Sequence, residues 1–378
     1  MNKKRPQVLI LPEFLPFNKG WGGFTWNYIN SIAPFCDITI FHSRLNGEVT
    51  GLKEQTISEQ IKLISYFPYK NKPKGLKKIV AYISWFKTSL KITKKLHRFD
   101  LIHAHGAVLN GTLALKLAQY WNIPFVLTEH TGPFASVVKG KIKHFWVKKI
   151  MEKADMVLTV SNHLKNEIEA NHIYPKRMEV TYNPVNTELF QLKKNKLFKN
   201  IVFAGRLDEN KGGLRAIKAF HVFYKTNPDW TFTLCGDGRE MNAIKQYVAT
   251  HKMESAIAIK GMLKEEEVAA IFQASDVFIS PTQFESFGMA IAEAMACGLP
   301  VITTNKTAPK EYVTKNNGVL LNVDSIDEMA KALSDITSNL HQFNAENSRT
   351  QIINQFGFTH FGNRMFSIYT SLMVDKNS

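Results

Sequence analysis

The chain has 378 residues, 44% of them hydrophobic and 21% charged, with 48 Lys and Arg against 32 Asp and Glu. That length suits two domains rather than one core, and with no apolar run of about 18 residues a membrane-spanning helix is excluded. Cys36, Cys235 and Cys297 stand alone in apolar contexts, which excludes a zinc ligand set and suits buried thiols in a reducing compartment. In chain order, Met1 to Ile10 is a short basic lead into a strand, without the apolar stretch of a signal peptide. A cytoplasmic location is therefore expected. Strands are predicted near Val8–Leu11, Ile38–Phe41, Leu101–His103, Phe125–Thr128, Met156–Val160 and Glu179–Tyr182. A second set follows near Ile201–Ala204, Thr231–Cys235, Ala256–Ile259, Val277–Ile279, Val301–Thr303 and Val319–Leu321. Helical patterns at Gly111–Tyr120, Leu214–Lys225, Glu265–Ala274 and Ile326–Leu340 separate them. Such alternation predicts βαβ units and parallel sheets, split six strands and six, with a polar linker over Asn186–Asn200. The segment Phe358–Met373 reads as an amphipathic helix.

The most informative stretch is Phe284-Glu285-Ser286-Phe287-Gly288-Met289-Ala290-Ile291-Ala292-Glu293. An apolar strand precedes it and a helix closed by Gly298 follows, which puts Glu285 in the strand-to-helix loop and Glu293 about two turns into the helix. Open α/β sheets bind ligands at that edge. Phe287, Gly288 and Met289 offer backbone N–H groups at a helix N-terminus, where phosphate binds readily. Glu293 stands in an otherwise apolar helix, where a carboxylate without partners costs several kcal/mol. Two acceptors for sugar hydroxyls flanking a phosphate cradle describe a nucleotide-sugar pocket.

Other strand mouths add to it. Ala204-Gly205-Arg206 and Lys211 place two cations after a strand, suited to a diphosphate by fork geometry and point charge. Lys260-Gly261-Met262 offers main chain to a base. The loop Gly20-Trp21-Gly22-Gly23 is rich enough in glycine to admit a phosphate. His105 and His130 each end or follow a strand, poised for contact with substrate. No metal-ligand spacing and no Gly-x-Ser-x-Gly elbow occurs.

Charge is distributed unevenly. Residues 1–190 carry 27 Lys and Arg against 13 Asp and Glu, whereas residues 191–378 carry 21 against 19. Within the basic half, Lys77–Arg98 holds seven cations and no acid, interleaved with Ile79, Val80, Trp85 and Phe86. Lys139–Lys153 is a second basic run, with Phe145 and Trp146. Both read as basic amphipathic helices for an anionic membrane surface. No nucleic-acid-reading motif accompanies them.

Taken together, these motifs resemble a retaining glycosyltransferase of family 4 (glycosyl transferases group 1). The residues that carry the likeness are Glu285-x7-Glu293, Ala204-Gly205-Arg206 with Lys211, Gly22-Gly23, Asp100-Leu101-Ile102-His103-Ala104-His105 and Asn183-Pro184-Val185-Asn186. The resemblance implies an α/β GT-B architecture of two Rossmann-like doubly wound domains with an interdomain cleft. Residues 1–187 would bind the acceptor and residues 188–357 the nucleotide sugar, with the C-terminal helix 358–378 returning to the first domain.

It also implies roles. Arg206, Lys211, Glu285 and His105 would be catalytic. Gly22, Gly23, Gly261, Met262, Ser286, Phe287, Gly288, Met289 and Glu293 would hold the donor, and His130 would face the acceptor. A hexosyltransferase needing no metal or cofactor is implied, moving sugar from a nucleoside diphosphate to a lipid-linked or cell-envelope glycan, peripheral on the inner face of the plasma membrane. Phe35-Cys36 replaces the family's usual Gly-His, and Ser286 stands where Pro or Gly is common. A nucleotide-sugar 2-epimerase on the same fold, or a non-catalytic nucleotide-sugar-binding partner at the membrane, fits the same residues.

Overall fold

A computed structural model of the chain describes residues 5–15, 23–47, 50–192 and 197–377. It divides into two units. The first comprises Met1–Leu15, Thr25–Tyr182 and Phe361–Ser378, and the second Pro16–Phe24 and Asn183–His360.

In the first unit the strands are β1 (Gln7–Leu11), β2 (Asp37–Ser43), β3 (Gly51–Ser58), β4 (Ile61–Phe67), β5 (Leu101–His105), β6 (Phe125–Glu129), β7 (Met156–Thr159) and β8 (Met178–Val180). They form one sheet in the order β3-β4-β2-β1-β5-β6-β7-β8. Its helices are α1 (Gly23–Ile32), α2 (Leu76–Lys94), α3 (Asn110–Trp121), α4 (Phe134–Val137), α5 (Lys141–Lys153) and α6 (Asn162–Ala170). β1 and β5 are buried along nearly their whole length, as parallel strands covered on both faces must be. The six expected strands become eight among the described residues. The added pair is a hairpin in which β3 runs antiparallel to β4 at the sheet edge. All eight residues of β3 are exposed, so no apolar alternation marks it.

The second unit contains β9 (Asn200–Ala204), β10 (Thr231–Cys235), β11 (Ile257–Gly261), β12 (Val277–Ser280), β13 (Val301–Thr304) and β14 (Gly318–Leu321). All pair in parallel, in the order β11-β10-β9-β12-β13-β14. Its helices are α7 (Gly213–Tyr224), α8 (Met241–Thr250), α9 (Glu265–Gln273), α10 (Met289–Ala296), α11 (Ile326–Ser338) and α12 (Ala345–Phe356). A core of Phe203, Phe220, Phe223, Phe232 and Leu333 lies between this sheet and α7 and α11. The expected linker over Asn186–Asn200 is not loose at its start. Val185 bridges to Gly357, Phe190 is fully buried, and the Arg349 guanidinium donates to the carbonyls of Thr187, Phe190 and Ala296. Polar composition hides this anchoring because backbone carbonyls, not side chains, meet the arginine.

Helix α13 (Phe358–Asn377) is longer than the amphipathic stretch first read from the sequence. From Phe361 onward it packs in the first unit, where Phe361, Met365, Tyr369 and Leu372 join the core of β1, β2 and α1. A buried hydrogen-bond cluster fixes it. The Tyr369 hydroxyl lies 2.6 Å from His103 Nδ1 and 3.2 Å from the Tyr28 hydroxyl. His103 Nε2 meets Thr128 Oγ1 at 2.7 Å. Burial drives His103 down to about 3, so its ring is neutral. Tyr369→Phe should lower stability by about 1 kcal/mol, since the cluster loses the Tyr369 hydroxyl's hydrogen bonds while His103 Nδ1 keeps the Tyr28 hydroxyl at 2.9 Å. A urea midpoint equal to that of the wild type would show that the cluster does not hold the helix.

Candidate functional site: two loop clusters at the points of strand reversal

In the second unit, strand order runs outward from β9 in one direction and from β12 in the other. Loops leaving these two neighbours must diverge, and the gap between them is where open α/β sheets take ligands. The expected residues Arg206, Lys211 and Glu285 all sit on those two loops. The loops are tied together through Asn210. Its Nδ2 donates to Phe284 O at 3.0 Å, Phe284 N donates to its Oδ1 at 3.0 Å, and Gln283 N donates to Asn210 O at 2.8 Å. 

The Gln283 contact is a backbone one, so a change of side chain at Gln283 leaves it in place. Lys211 Nζ pairs with Glu285 Oε2, and both side chains are mostly buried, at 24% and 13% exposure. Arg206 is the more exposed cation and pairs with Asp208. The Lys211 N–H also donates to Asp208 Oδ1 at 3.0 Å. The two cations expected to hold a diphosphate are each matched to a carboxylate, a pairing across 74 residues in the case of Lys211 that no local spacing reveals.

Glu285 is positioned from three sides. Its N–H donates to Thr307 Oγ1 at 3.2 Å, its carbonyl accepts from Ala308 N at 3.3 Å, and Thr282 Oγ1 approaches its carboxylate at 3.4 Å. Helix α10 begins at Met289, so Glu293 is its fifth residue and lies just over one turn in, not two. Gly288 caps the helix at φ 96°, and a Cβ there would come 2.7 Å from the Tyr312 hydroxyl. That hydroxyl donates to Phe287 O at 2.6 Å. Phe287 is therefore buried and its carbonyl occupied, while the first N–H groups of α10 have no partner within the helix. Ser286 and Met289 are half-buried beside it. Burial, then the charges of Glu285, Glu311 and Glu293, push the Tyr312 phenol well up. Both expected carboxylates thus act on one buried hydroxyl.

Gly261 ends β11 with φ 70°, and its carbonyl accepts from Gly236 N at 2.8 Å. Met262 follows it, half-buried. These two lie beyond β10, away from the point of reversal. Gly23 opens α1, and Gly22 lies outside the described residues.

Strand order in the first unit reverses between β1 and β5. His105 ends β5 and His130 follows β6. Their rings lie nearly parallel with centroids 5.1 Å apart, and His105 Nδ1 lies 2.8 Å from His130 Nε2. His103 stacks against His105 at 4.8 Å. Burial first, then the neighbouring imidazoles, holds His105 well below its ordinary range. Separate donor-side and acceptor-side histidines were expected; the structure joins them in one hydrogen bond.

A cavity of about 330 Å³ opens at this same edge, lined by Glu13, Arg44, His105, Asn110, Glu129 and Lys143 among others. Sequence reasoning missed Glu13, Arg44 and Glu129 as functional candidates. Only the position of each just after or at the end of a strand could have flagged them.

Glu293 carries a signature of its burial. Its carboxyl is pushed up to about 8, by desolvation first and the charge of Glu265 second. A carboxyl raised from its ordinary 4.5 costs nothing below that value, and stability is lost as pH rises through 8. Glu293→Gln should therefore match the wild type near about pH 5 and exceed it near about pH 9, by roughly 1–4 kcal/mol. Thermal unfolding at the two pH values checks this, and a pH-independent difference would refute it.

Comparisons with known proteins bear on the family and the fold. Residues 185–355 match the family model for glycosyl transferases group 1, and residues 36–189 match that for glycosyltransferase family 4. The chain is 29% identical over 262 residues to an uncharacterized glycosyltransferase of Methanocaldococcus jannaschii, covering 68% of this chain and 72% of that protein. It is 27% identical over 311 residues to the UDP-Gal:alpha-D-GlcNAc-diphosphoundecaprenol alpha-1,3-galactosyltransferase of Escherichia coli, covering 76% and 79%. Among solved structures, the sucrose-phosphate synthase of Thermosynechococcus elongatus superposes with a TM-score of 0.80 at 19% identity, covering 98% of this chain and all of that one. The chain belongs to the group 1, family 4 glycosyltransferases, hexosyltransferase-type enzymes of GT-B fold that use nucleotide sugars.

Proposed function

We propose that the protein moves a hexose from a nucleoside diphosphate sugar to a hydroxyl of a lipid-linked or cell-envelope glycan, with retention of anomeric configuration and without a metal. The observation that carries this reading is the Lys211–Glu285 pair at the β9/β12 reversal. An arriving diphosphate offers Lys211 a stronger partner than one carboxylate. Glu285 is then free to accept hydroxyls of the donor sugar, while Glu293 receives the ribose. As the bond from the sugar to phosphate breaks, negative charge grows on the leaving oxygens. Lys211, Arg206 and the N-terminus of α10 oppose it in a fixed, partly buried setting, where such charges count for more than in water. Two cations supplied by the protein perform the neutralisation that a divalent metal would otherwise supply.

Lys211→Ala should lower kcat by about a hundredfold or more, roughly 3 kcal/mol of barrier, with the fold intact. Unchanged turnover at saturating donor would remove Lys211 from the mechanism.

The acceptor reading draws on the E. coli relative, whose named acceptor is a diphosphoundecaprenol-linked sugar, and on one face of the first unit. There α3 packs between α2 and α5. Ile79, Val80 and Ile83 on α2 and Ile142, Phe145 and Trp146 on α5 are each at least half exposed. Lys149 lies over the Trp146 ring at 5.3 Å and Lys94 over that of Tyr120 at 4.1 Å. Trp85 does not belong to this face. It is buried beside Leu45 and Ala81, and its indole N–H donates to Ser43 Oγ at 2.8 Å. The remaining apolar side chains beside unopposed lysines suit an anionic lipid surface. The protein should float with vesicles containing anionic phospholipid, less at high salt, and the triple change Ile142→Ser, Phe145→Ser, Trp146→Ser should abolish flotation. Equal recovery with and without lipid would refute the membrane reading.

A further inference from the structure

The cavity in the first unit has a composition that the donor chemistry does not use. Glu13 enters it from the loop after β1, and its carboxylate lies directly over Gly106, where a Cβ would come 2.8 Å from Glu13 Oε2. Gly106 adopts φ 83°, so both its backbone and its missing side chain make room for that carboxylate. Beneath it, Glu129 is fully committed. Its Oε2 accepts from Ala107 N at 3.1 Å, and its Oε1 accepts from His130 N at 3.1 Å and Thr131 N at 2.9 Å. Glu13 has no such partners: among the described residues no group hydrogen-bonds its carboxyl. His105 borders the same cavity, is completely buried, and keeps Nε2 without a hydrogen-bond partner. A half-buried carboxyl and a buried imidazole nitrogen left open at one wall call for a ligand that brings its own hydroxyl groups.

We propose that this cavity receives one sugar ring of the acceptor and that Glu13 accepts a hydrogen bond from an acceptor hydroxyl, making it a specificity-determining residue. The proposal rests on the transferase reading, with the first unit as the acceptor-binding one. A volume of about 330 Å³ stands at the small end of the roughly 300–1,000 Å³ typical of ligand pockets, the scale of one ring.

The charges around Glu13 give the site a pH dependence. It faces Glu129 on β6, Arg44 after β2, His105 at the end of β5 and Lys143 on α5. Burial first, and the Glu129 charge second, push its carboxyl up to about 7, with Arg44 opposing them. A hydroxyl donated to the carboxylate favours the ionised form. Acceptor binding is therefore strong above that value and weakens as pH falls through it.

The test uses the full chain, octyl glucoside, octyl galactoside and octyl N-acetylglucosaminide as acceptor surrogates, and the nucleotide sugar that most raises the melting temperature as donor. In the wild type at saturating donor, which keeps the titration of Glu293 out of the measurement, acceptor KM should rise up to about tenfold per pH unit below pH 7. Glu13→Gln should raise acceptor KM about tenfold at pH 8 and flatten that profile, with donor KM unchanged. A wild-type acceptor KM that does not vary between pH 8 and pH 6 overturns the proposal without recourse to any variant. So does a Glu13→Gln enzyme with wild-type acceptor KM. Nucleoside diphosphate affinity, measured by calorimetry, reports on the donor reading alone and separates its failure from this one.

Discussion

Everything chemical in this molecule hangs from one topological constraint. A parallel sheet whose strand order reverses sends two neighbouring βα loops apart, because their helices must cover opposite faces. The reversal occurs between β1 and β5 in the first unit and between β9 and β12 in the second. Lys211 and Glu285 flank one of these points, and Glu13, His105 and Gly106 flank the other. A loop elsewhere on either sheet would lie beside a loop heading the same way, with no room left between them. The glycines follow from the same crowding. Gly288 lets Tyr312 reach the start of α10, and Gly106 lets Glu13 lie over the β5 loop.

How far the sequence reveals this depends on what kind of contact each residue makes. Buried parallel strands announce themselves as short apolar runs, and those of the second unit fall close to where their composition places them. Strand β3 is silent because it is exposed along its full length. Glu293 is legible because a carboxylate in an apolar helix is anomalous by itself. Trp85 misleads for the converse reason: an aromatic among lysines reads as lipid-facing until its partner Ser43, far away in the chain, is known. Glu13 sits in Leu11-Pro12-Glu13-Phe14, an unremarkable loop, and its meaning arises only from Gly106 and Glu129 beside it. Pairings such as Lys211 with Glu285 are likewise facts of tertiary structure.

The Lys211–Glu285 ion pair is informative in itself. Lys211 and Glu285 are mostly withdrawn from water, and two such charges are tolerable only together. Each keeps the other in place until a ligand offers both a substitute. The diphosphate group is anionic and the sugar is rich in hydroxyls, so one molecule satisfies both halves at once. On the proposed reading, the donor would replace an interaction already in place and add no net buried charge at Glu285.

The two kinds of buried titratable group oppose each other in their effect on stability. His103 is held near 3 and His42 near 4, so the unfolded chain binds protons that the folded chain refuses, and stability falls as pH drops below 6.5. Glu13 and Glu293 are raised to about 7 and 8, so stability falls instead as pH climbs from 4.5 through those values. Between 4.5 and 6.5 the two slopes have opposite sign and partly cancel. Above 6.5 only the carboxyls act, and their ionisation is the one cost that ligand hydroxyls can relieve. On the proposed reading, a bound sugar or ribose would give Glu13 and Glu293 hydroxyl donors near neutral pH, where these two carboxyls are being forced to ionise.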